Sequence, residues 1–419
     1  MSMPDSFDGD EARRQQEDTE AILSRRRFLI QSALAGAGIA AAASDAQAQV
    51  CLSVAPPEPM PCLKVVPPGN EAAPGGDAVT ESIEPRTLFS GHTAAVVGLA
   101  VSPDGAMLAS IGGDGTIRLW ESGTGRKLGE MSFRAPAASA SVSFSPSGTL
   151  VSNNQDSILL WDVQTRRNTA AITADKTTCA IFSPSGRSIA SCGPDGNVLL
   201  WDATTRRVRN NFKGHTAAAT ALAFAADGKT LASASADGTA RLWDVQTGGA
   251  RVLAQQSPIF AVAFSPDGRY LASGGGSDQA GEIKLWDAQS GRATATLTGH
   301  AKKVLGVTFS RDGRTLASCG EDGTLRLWSV AARRALAVIR AHKGSANCVE
   351  FSRGGRTLFS AGADEKARAW DVTKWVQRQQ EPLELPDEPR VCLSVRPEEP
   401  VPCLSPPLPE QPQVCLTVP

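Results

Sequence analysis

Seven tryptophans recur along the chain at nearly constant spacing, and this period constrains the fold more than any other feature of the sequence. They stand 40 to 43 residues apart, at Trp120, Trp161, Trp201, Trp243, Trp286, Trp328 and Trp370. A period of about 20 to 50 residues indicates an array of similar units, each of which needs its neighbours to bury its apolar surface. The best-preserved unit, residues 297–328, reads LTGHAKKVLGVTFSRDGRTLASCGEDGTLRLW.

Each unit alternates short apolar runs with tight-turn residues. In the first unit Val96, Leu99 and Val101 precede Ser-Pro-Asp-Gly, and Gly113-Asp114-Gly115 turns the chain again before Thr116–Trp120. Asp-Gly between apolar runs is a strong hairpin signal. A sheet built this way has two faces to cover, and a closed ring of seven such sheets buries both faces and leaves only short edges.

The period near 42, with its Gly-His, Asp-Gly and Trp-Asp dipeptides, resembles the WD-repeat family, in which four antiparallel strands form each blade of a β-propeller. The resemblance covers roughly residues 86–372 and implies an all-β, seven-bladed propeller. The last unit stops after its third strand at Trp370-Asp371. We therefore expect Arg86–Phe89 to supply the outer strand of the seventh blade, which places Arg86 close to Asp371 at the bottom rim.

Polar residues recur at fixed offsets in four of the seven units. Each set resembles the structural tetrad of the family, a buried hydrogen-bond chain from Asp through His and Ser to the indole N–H. A Ser-His-Asp set is also the pattern of a catalytic triad, but four copies at the repeat spacing use all four histidines and favour a structural role. We predict no enzyme activity and no catalytic, cofactor-binding or metal residues. The sets are His92, Ser110, Asp114 and Trp120; His215, Ser233, Asp237 and Trp243; His300, Ser318, Asp322 and Trp328; and His342, Ser360, Asp364 and Trp370.

Three units depart from this pattern. The second lacks Gly-His and has Gln155 near the Asp position, and the third has Ala174-Asp175 in place of Gly-His. The fifth has Gln255-Gln256 there and a longer segment from Gly274 to Gly281. We expect these blades to be less rigid, either through sequence drift or because they form a functional edge.

The N-terminal residues 1–48 resemble a twin-arginine export signal. The string Ser24–Ile30 reads SRRRFLI, an uncharged stretch runs from Phe28 to Ala43, and a small-x-small cleavage pattern follows. The apolar run is shorter than the ~20 residues that span a membrane, so we expect no stable span after cleavage. The resemblance implies the twin-arginine export machinery as a partner, a mature chain that starts near Gln49, and a bacterial periplasmic or extracellular location. The signal residues are Arg25, Arg26, Ala46 and Ala48.

Two related tails flank the predicted propeller, at residues 49–85 and 373–419. Both repeat a Cys-Leu unit among prolines, and such sequence is typically extended. The tail cysteines are Cys51, Cys62, Cys392, Cys403 and Cys415.

Four interpretations of the tails stay open. In the first, disulfides pair Cys51 with Cys392 and Cys62 with Cys403, which leaves Cys415 for a partner. The others are a soft-metal site built from thiolates, a substrate for a cysteine-modifying or anchoring enzyme, and a stiff spacer with incidental thiols. The remaining cysteines fall within blade strands, where we expect small core residues; they are Cys179, Cys192, Cys319 and Cys348.

The balance of positive and negative charges bears on which classes of partner the protein can bind. Lys and Arg total 42 and Asp and Glu total 43, which gives no electrostatic case for nucleic acid or an anionic membrane. We predict an exported scaffold that binds other proteins on the face carrying the Gly-His and Asp-Gly loops, here called the top face. The alternatives are a displayed substrate for cysteine modification and an exported propeller enzyme that depends on a metal or cofactor. The candidate contact residues are Val97, Thr220, Phe260, Leu305, Lys302, Lys303 and Lys343.

Overall fold

The computed structural model describes residues 79–80, 83–133, 140–154, 156–174 and 176–378. The predicted signal, the five tail cysteines, Gln155 and Asp175 lie outside these residues. The described part contains 29 strands, numbered β1 to β29 in chain order, and one short helix, α1. None of the described helical segments is long and apolar enough to cross a membrane.

The strands form seven sheets, each built on four antiparallel strands, which confirms the predicted seven-bladed propeller of four-stranded blades. In blades 1 to 6 the strands follow one another from the ring axis outwards. Blade 1 comprises β3 Val96–Val101, β4 Met107–Gly112, β5 Thr116–Glu121 and β6 Lys127–Ser132. Blade 2 comprises β7 Val142–Phe144, β8 Leu150–Asn153, β9 Ser157–Asp162 and β10 Arg167–Thr173. Blade 3 comprises β11 Cys179–Phe182, β12 Ser188–Cys192, β13 Val198–Asp202 and β14 Val208–Phe212.

The other four blades repeat this order. Blade 4 comprises β15 Ala219–Phe224, β16 Thr230–Ser235, β17 Thr239–Asp244 and β18 Ala250–Ala254. Blade 5 comprises β19 Ile259–Phe264, β20 Tyr270–Gly276, β21 Gly281–Asp287 and β22 Ala293–Thr298. Blade 6 comprises β23 Val304–Phe309, β24 Thr315–Gly320, β25 Thr324–Ser329 and β26 Arg334–Arg340. Blade 7 comprises β27 Ala346–Phe351, β28 Thr357–Gly362, β29 Lys366–Asp371 and β2 Thr87–Ser90.

The ring closes between the two ends of the repeat region. Strand β2 pairs antiparallel with β29, with Phe89 opposite Ala367. The backbone N–H of Arg86 donates to the carbonyl of Ala369 at 2.7 Å. The prediction that the N-terminal strand completes the last blade is confirmed. The first strand of the repeat region is therefore hydrogen-bonded to the last one.

Two short elements extend the folded chain on either side of residues 86–372. Strand β1, Val79–Thr80, pairs parallel with β26 and adds a fifth strand to blade 6. Helix α1, Thr373–Arg378, follows β29 directly. Its Trp375, the eighth tryptophan of the chain, is buried with Trp370 and Phe351, and half-buried Ile83 packs on the same cluster. The repeat period does not predict either element because neither belongs to a repeat.

The core lies between the blades. Each of the seven apolar clusters combines residues of one blade with the repeat tryptophan of the next, so every interface has the same design. At the closing interface Trp120 of blade 1 packs with Phe89 and Phe359 of blade 7. Large aromatic side chains contribute much buried area each. This arrangement explains why the tryptophan is the most regular residue of the sequence.

Candidate functional site

The best-preserved tetrad lies in blade 6 and links its top loops to the core. His300 Nε2 lies 2.8 Å from Ser318 Oγ, and His300 Nδ1 lies 3.0 Å from Asp322 Oδ2. The indole N–H of Trp328 donates to Ser318 Oγ at 2.8 Å. An ionised carboxylate only accepts, so Nδ1 carries the proton and Nε2 of the neutral ring accepts from the serine hydroxyl. The chain of donors therefore runs in one direction, from tryptophan through serine and histidine to aspartate.

The same three contacts occur in blades 1, 4 and 7. The His Nε2–Ser Oγ distances there are 2.8, 2.7 and 2.7 Å. The indole N–H to Ser Oγ distances are 2.9, 2.8 and 2.9 Å. Each histidine also contacts its aspartate through Nδ1. In blade 7 the Asp364 carboxylate additionally pairs with Arg368 at 2.8 Å. All sixteen residues predicted from the sequence are thus brought together in four sets.

The electrostatics of the tetrads in blades 1, 6 and 7 keep their imidazoles neutral. Burial lowers the pKa of His92, His300 and His342, although the paired carboxylates oppose that shift. Burial acts to raise the pKa of Asp322, but the hydrogen bond from His300 and those from Thr324 outweigh it and hold that pKa well below its usual range. In blades 1, 6 and 7 the tetrad therefore holds a neutral imidazole against an ionised carboxylate near neutral pH.

The tetrad aspartates of blades 1, 4 and 6 also fix two loops of the top face each. Asp322 accepts from the backbone N–H of Ala301 at 2.9 Å in the Gly-His loop. It accepts from the backbone N–H and the hydroxyl of Thr324 at 3.0 and 2.8 Å in the Asp-Gly turn. That turn needs a glycine, because Gly323 has φ +75° and a Cβ there would lie 2.5 Å from the Gly344 carbonyl oxygen. The tetrads consequently set the shape of the top face.

The tetrad serines are inaccessible. The exposed fraction of Ser110, Ser233, Ser318 and Ser360 is 0% in each case. A nucleophilic serine must reach a substrate, and here the hydroxyl oxygen already accepts the indole N–H. Among the residues described, no group of three or more His, Cys, Asp or Glu side chains lies close enough to hold a metal ion. The geometry of these sets matches internal hydrogen-bond chains and gives a substrate no route to the hydroxyl.

Blades 2, 3 and 5, which depart from the repeat pattern, keep only part of the hydrogen-bond chain of the tetrad. In blades 2 and 3 the tryptophan still donates to serine, from Trp161 to Ser152 at 2.9 Å and from Trp201 to Ser191 at 2.7 Å. Asp195 of blade 3 accepts instead from Asn197 in its own turn. In blade 5 the Gln255 side chain lies where blades 1, 4, 6 and 7 have histidine. Its position in the sequence, eighteen residues before Ser273 as His300 is before Ser318, is the signal that identifies this substitution.

The candidate contact residues Val97, Thr220, Phe260 and Leu305 occupy one repeat position. Each is the extra residue at a register shift near the start of an inner strand, opposite the second strand of its blade. All four are half-buried. A bulge turns its extra residue out of the regular alternation and is frequent near functional sites. These four residues therefore lie at equivalent places near the top ends of the inner strands of blades 1, 4, 5 and 6.

Polar side chains at this repeat position form hydrogen bonds between neighbouring blades. Thr220 Oγ1 donates to the Ile259 carbonyl of blade 5 at 2.7 Å. Asn347 of blade 7 donates through Nδ2 to the Val96 carbonyl of blade 1 at 2.9 Å, and Thr178 of blade 3 donates to Ala219 of blade 4 at 2.8 Å. The sequence interpretation missed the last two. Their shared signal in the sequence is a polar residue at the beginning of the inner strand or immediately before it.

The three candidate lysines differ in their surroundings. Lys303 forms an ion pair with Asp278, and its Nζ atom lies 5.9 Å from the ring centre of Phe260. Lys302 and Lys343 are exposed. The backbone N–H of Lys343 donates to Asp364 of the blade 7 tetrad at 3.3 Å. Phe260 and Lys303 are thus joined across the interface of blades 5 and 6, next to the longer loop of blade 5.

Comparison with known sequences identifies the repeat. A family profile described as "WD domain, G-beta repeat" matches residues 83–121, 169–202, 206–244, 250–287, 291–329 and 333–371. The segment between the first two matches covers most of blade 2, one of the three blades that lack both the Gly-His pair and a histidine.

Several curated proteins are similar to the repeat region. Transcription initiation factor TFIID subunit 5 of Caenorhabditis elegans is 33% identical over 235 residues, which are 55% of this chain and 29% of that protein. Pre-mRNA-processing factor 19 of Mus musculus is 32% identical over 254 residues, 59% of this chain and 49% of that protein. A ribosome biogenesis protein WDR12 homolog of Drosophila virilis is 26% identical over 266 residues, 58% of this chain and 53% of its own length. The chain thus spans at most about half of each relative.

Proposed function

Because the chain belongs to the WD40 repeat family, whose propellers are usually non-catalytic scaffolds, we propose that it is a non-enzymatic scaffold that binds other proteins on its top face. The observation that carries this proposal is the burial of the four tetrads, in which every histidine of the chain is engaged in hydrogen bonds to serine and aspartate. No histidine remains for acid–base or metal chemistry. The surface of the propeller is therefore the part that is available to bind a partner.

The similar proteins support a shared scaffold and not a shared partner. Their names refer to a transcription initiation factor, a pre-mRNA-processing factor and a ribosome biogenesis protein. The matches cover the repeat region and at most about half of each of these proteins. The partner of this chain therefore depends on its own top-face residues.

The proposed contact surface centres on Val97, Phe260 and Leu305. In blades 3, 4 and 7 the same position carries a side chain that bonds to the next blade. In blades 1, 5 and 6 it carries an apolar side chain that is only half-buried. Aromatic and apolar anchors at the centre of a face, with charged residues such as Lys302 and Lys343 around them, are typical of a binding surface.

A capture experiment with the full chain tests this surface. We expect a double variant, Phe260→Ala with Leu305→Ala, to lose proteins that the unaltered chain retains from a periplasmic extract of the source cells. Val252→Ala is the matched control, because Val252 is an apolar side chain 48% exposed on the outer strand β18, away from the ring axis. Equal melting temperatures establish that all variants fold. Identical capture by all three proteins would contradict the proposed surface.

We further propose that the scaffold acts outside the cytoplasm. The support is the sequence of residues 1–48, with Arg25 and Arg26 before an uncharged stretch and Ala46 and Ala48 at a cleavage pattern. Intact-mass measurement of the protein recovered from the periplasmic fraction should give a chain that starts near Gln49. Retention of residues 1–48, or recovery in the cytoplasm alone, would rule out export by this signal.

The repeated tail cysteines support a second candidate role, in which the propeller displays the tails to a cysteine-modifying or anchoring enzyme. The Cys-Leu unit occurs five times, twice before and three times after the blades. Peptide mapping with and without reductant separates the possibilities. Links between Cys51 and Cys392 support disulfides across the tails, added mass supports modification, and free thiols at all five positions contradict both.

A further inference from the structure

The four cysteines of the blades occupy only two repeat positions. Cys179 and Cys348 stand at the same place on the inner strands β11 and β27, and Cys192 and Cys319 stand at the facing place on the second strands β12 and β24. Cys348 lies opposite Ala361, and Cys319 lies opposite Gly306. Among the described blades, blade 3 is the one in which both positions carry a cysteine. The described blades therefore contain one facing pair, Cys179 with Cys192, and two single thiols, Cys319 and Cys348.

The geometry of the facing pair fits a covalent link. Cys179 and Cys192 are direct partners in the antiparallel ladder, so their side chains leave the same face of the sheet. Directly opposite residues have Cα atoms about 4.5–5.5 Å apart, and a disulfide needs about 4.4–6.8 Å. Both side chains are buried in one cluster with Leu222 and Trp243 of blade 4. The usual Cα separation of a directly opposite pair therefore lies within the range of a disulfide.

The local contacts distinguish the two thiols. Cys192 Sγ lies 3.5 Å from Thr178 Oγ1 and 3.5 Å from the Ala219 carbonyl oxygen. A hydrogen bond from the Cys192 thiol lowers the pKa of Cys179 and raises the pKa of Cys192. By contrast, burial raises the pKa of Cys319, and it raises the pKa of Cys348 to about 12. The Cys179 sulfur is thus the better nucleophile, with a second thiol beside it to resolve the product.

We propose that Cys179 and Cys192 form a reversible disulfide site inside blade 3, which closes by exchange with a small-molecule disulfide. The Cys179 thiolate attacks one sulfur of that disulfide, and the other half leaves as a thiolate. The Cys192 sulfur then attacks Sγ of Cys179, its proton passes to the second leaving thiolate, and the Cys179–Cys192 bond forms. Two electrons pass from the protein thiols to the reagent, which ends as two thiols.

Cys179 lies on an inner strand, and its side chain is buried, whereas Cys348 at the same repeat position is partly exposed. The reagent therefore reaches Cys179 through local opening of blade 3. An oxidising compartment supplies the disulfide, and a reducing one reopens the bond. The inference does not depend on the scaffold function, since it concerns the chemistry of one blade.

The test uses the full chain, reduced, freed of reductant and incubated folded with oxidised glutathione, whose activity is first checked on a short cysteine peptide. Free thiols are then alkylated in denaturant and the protein is cut with trypsin. Cleavage after Lys176, Arg187 and Arg206 places Cys179 and Cys192 on separate peptides, 177–187 and 188–206. We expect these two peptides to be recovered joined, with near-complete loss of alkylation at both cysteines and release of both by dithiothreitol.

The single thiols and two variants complete the test. Cys319 and Cys348 lie on other tryptic peptides and should stay alkylated to the same extent as before oxidation. In Cys192→Ala, Cys179 should retain glutathione as a mixed disulfide; in Cys179→Ala, Cys192 should stay free. Alanine fits both positions, because blade 4 has Ala221 opposite Ala234 there. Full alkylation of Cys179 and Cys192 in the oxidised folded protein would overturn the proposal, as would equal oxidation of Cys319 and Cys348.

Discussion

Gln255 accepts a hydrogen bond from the Ser273 hydroxyl, so blade 5 keeps the inner half of the tetrad with an amide in place of an imidazole. The indole N–H of Trp286 still donates to Ser273 at 2.8 Å. Gln255 Nε2, in contrast, is buried without a hydrogen-bond partner among the described residues. Glutamine therefore replaces the acceptor function of histidine but does not extend the chain to a carboxylate.

This comparison predicts graded losses of stability at His300. His300→Ala leaves Ser318 and the Asp322 carboxylate without their shared partner, and we expect a loss of about 2–4 kcal/mol in the free energy of unfolding. His300→Gln should cost about 1–2 kcal/mol, because the amide oxygen can still accept from Ser318 as Gln255 does from Ser273. Chemical denaturation measures both. Unchanged stability in His300→Ala would show that the tetrad does not support the blade.

The fold could be predicted from the sequence because the same residue types recur at the same place in each repeat. Trp328 and Asp322 stand at fixed offsets, and they do so because each blade must offer the same surface to the next. The blade boundaries, the ring closure and the composition of the four complete tetrads followed from those offsets. The sequence marks Gln255 as a departure from the repeat but does not predict its bond to Ser273, because sequence spacing does not show which substitute can accept a hydrogen bond.

The buried histidines predict a loss of stability on mild acidification. The pKa values of His92, His300 and His342 lie below their ordinary value of 6.5 in the folded protein. The unfolded chain therefore binds more protons, and the free energy of unfolding falls as the pH is lowered through 6.5 towards the folded pKa values. Denaturation curves between pH 7.5 and 5 should show this slope when they are measured on a Glu350→Gln background, because Glu350, whose pKa burial raises to about 7, contributes the opposite dependence in this range.

The same series on His300→Gln provides the control. One titrating group is removed, so the stability of the variant should depend less steeply on pH between about 6.5 and 5. The tetrad aspartates, whose pKa values are also lowered, withdraw their contribution only as the pH falls below about 3.8 and do not interfere in this range. Equal slopes for both proteins would contradict the assignment of the dependence to the tetrads.

A carboxylate on the innermost strand of blade 7 predicts the opposite dependence. Burial raises the pKa of Glu350 to about 7, against an ordinary value of 4.5. The folded state then holds the proton more tightly than the unfolded chain, so stability from this residue is lost as the pH rises from 4.5 through 7. Glu350→Gln should therefore stabilise the protein at pH 8 by about 1–3 kcal/mol and have little effect near pH 4.5. A constant difference between the two pH values would contradict this.

The hydrogen bonds between blades at the top of the inner strands predict a small, local effect. Thr220 Oγ1 donates to the Ile259 carbonyl at 2.7 Å, and Thr220→Val keeps the shape while removing that donor. We expect a loss of about 0.5–1.5 kcal/mol in the free energy of unfolding. Leu305→Val changes the same repeat position in blade 6 without removing a hydrogen-bond donor and should cost less. Equal effects of the two substitutions would show that the bond adds no stability.

The elements outside the repeat were beyond sequence prediction for a physical reason. Helix α1 has six residues, too few to show a periodic apolar face. Strand β1 has two residues and adds to blade 6 as a parallel partner of β26, so no alternation could reveal it. The bulges at Phe260 and Leu305 likewise depend on ladder registers that spacing between tryptophans does not report.

Trp375 tests whether helix α1 is part of the folded unit. Its side chain is 3% exposed and packs with Trp370 and Phe351 of blade 7, next to the strand that closes the ring. Removing a buried aromatic ring leaves a cavity, so Trp375→Ala should lower the free energy of unfolding by about 3–5 kcal/mol. Gln377→Ala changes an exposed residue of the same helix and should have little effect. If both variants unfold at the same denaturant concentration as the unaltered chain, the helix does not stabilise the closure of the ring, and residues 373–378 act only as the start of the C-terminal tail.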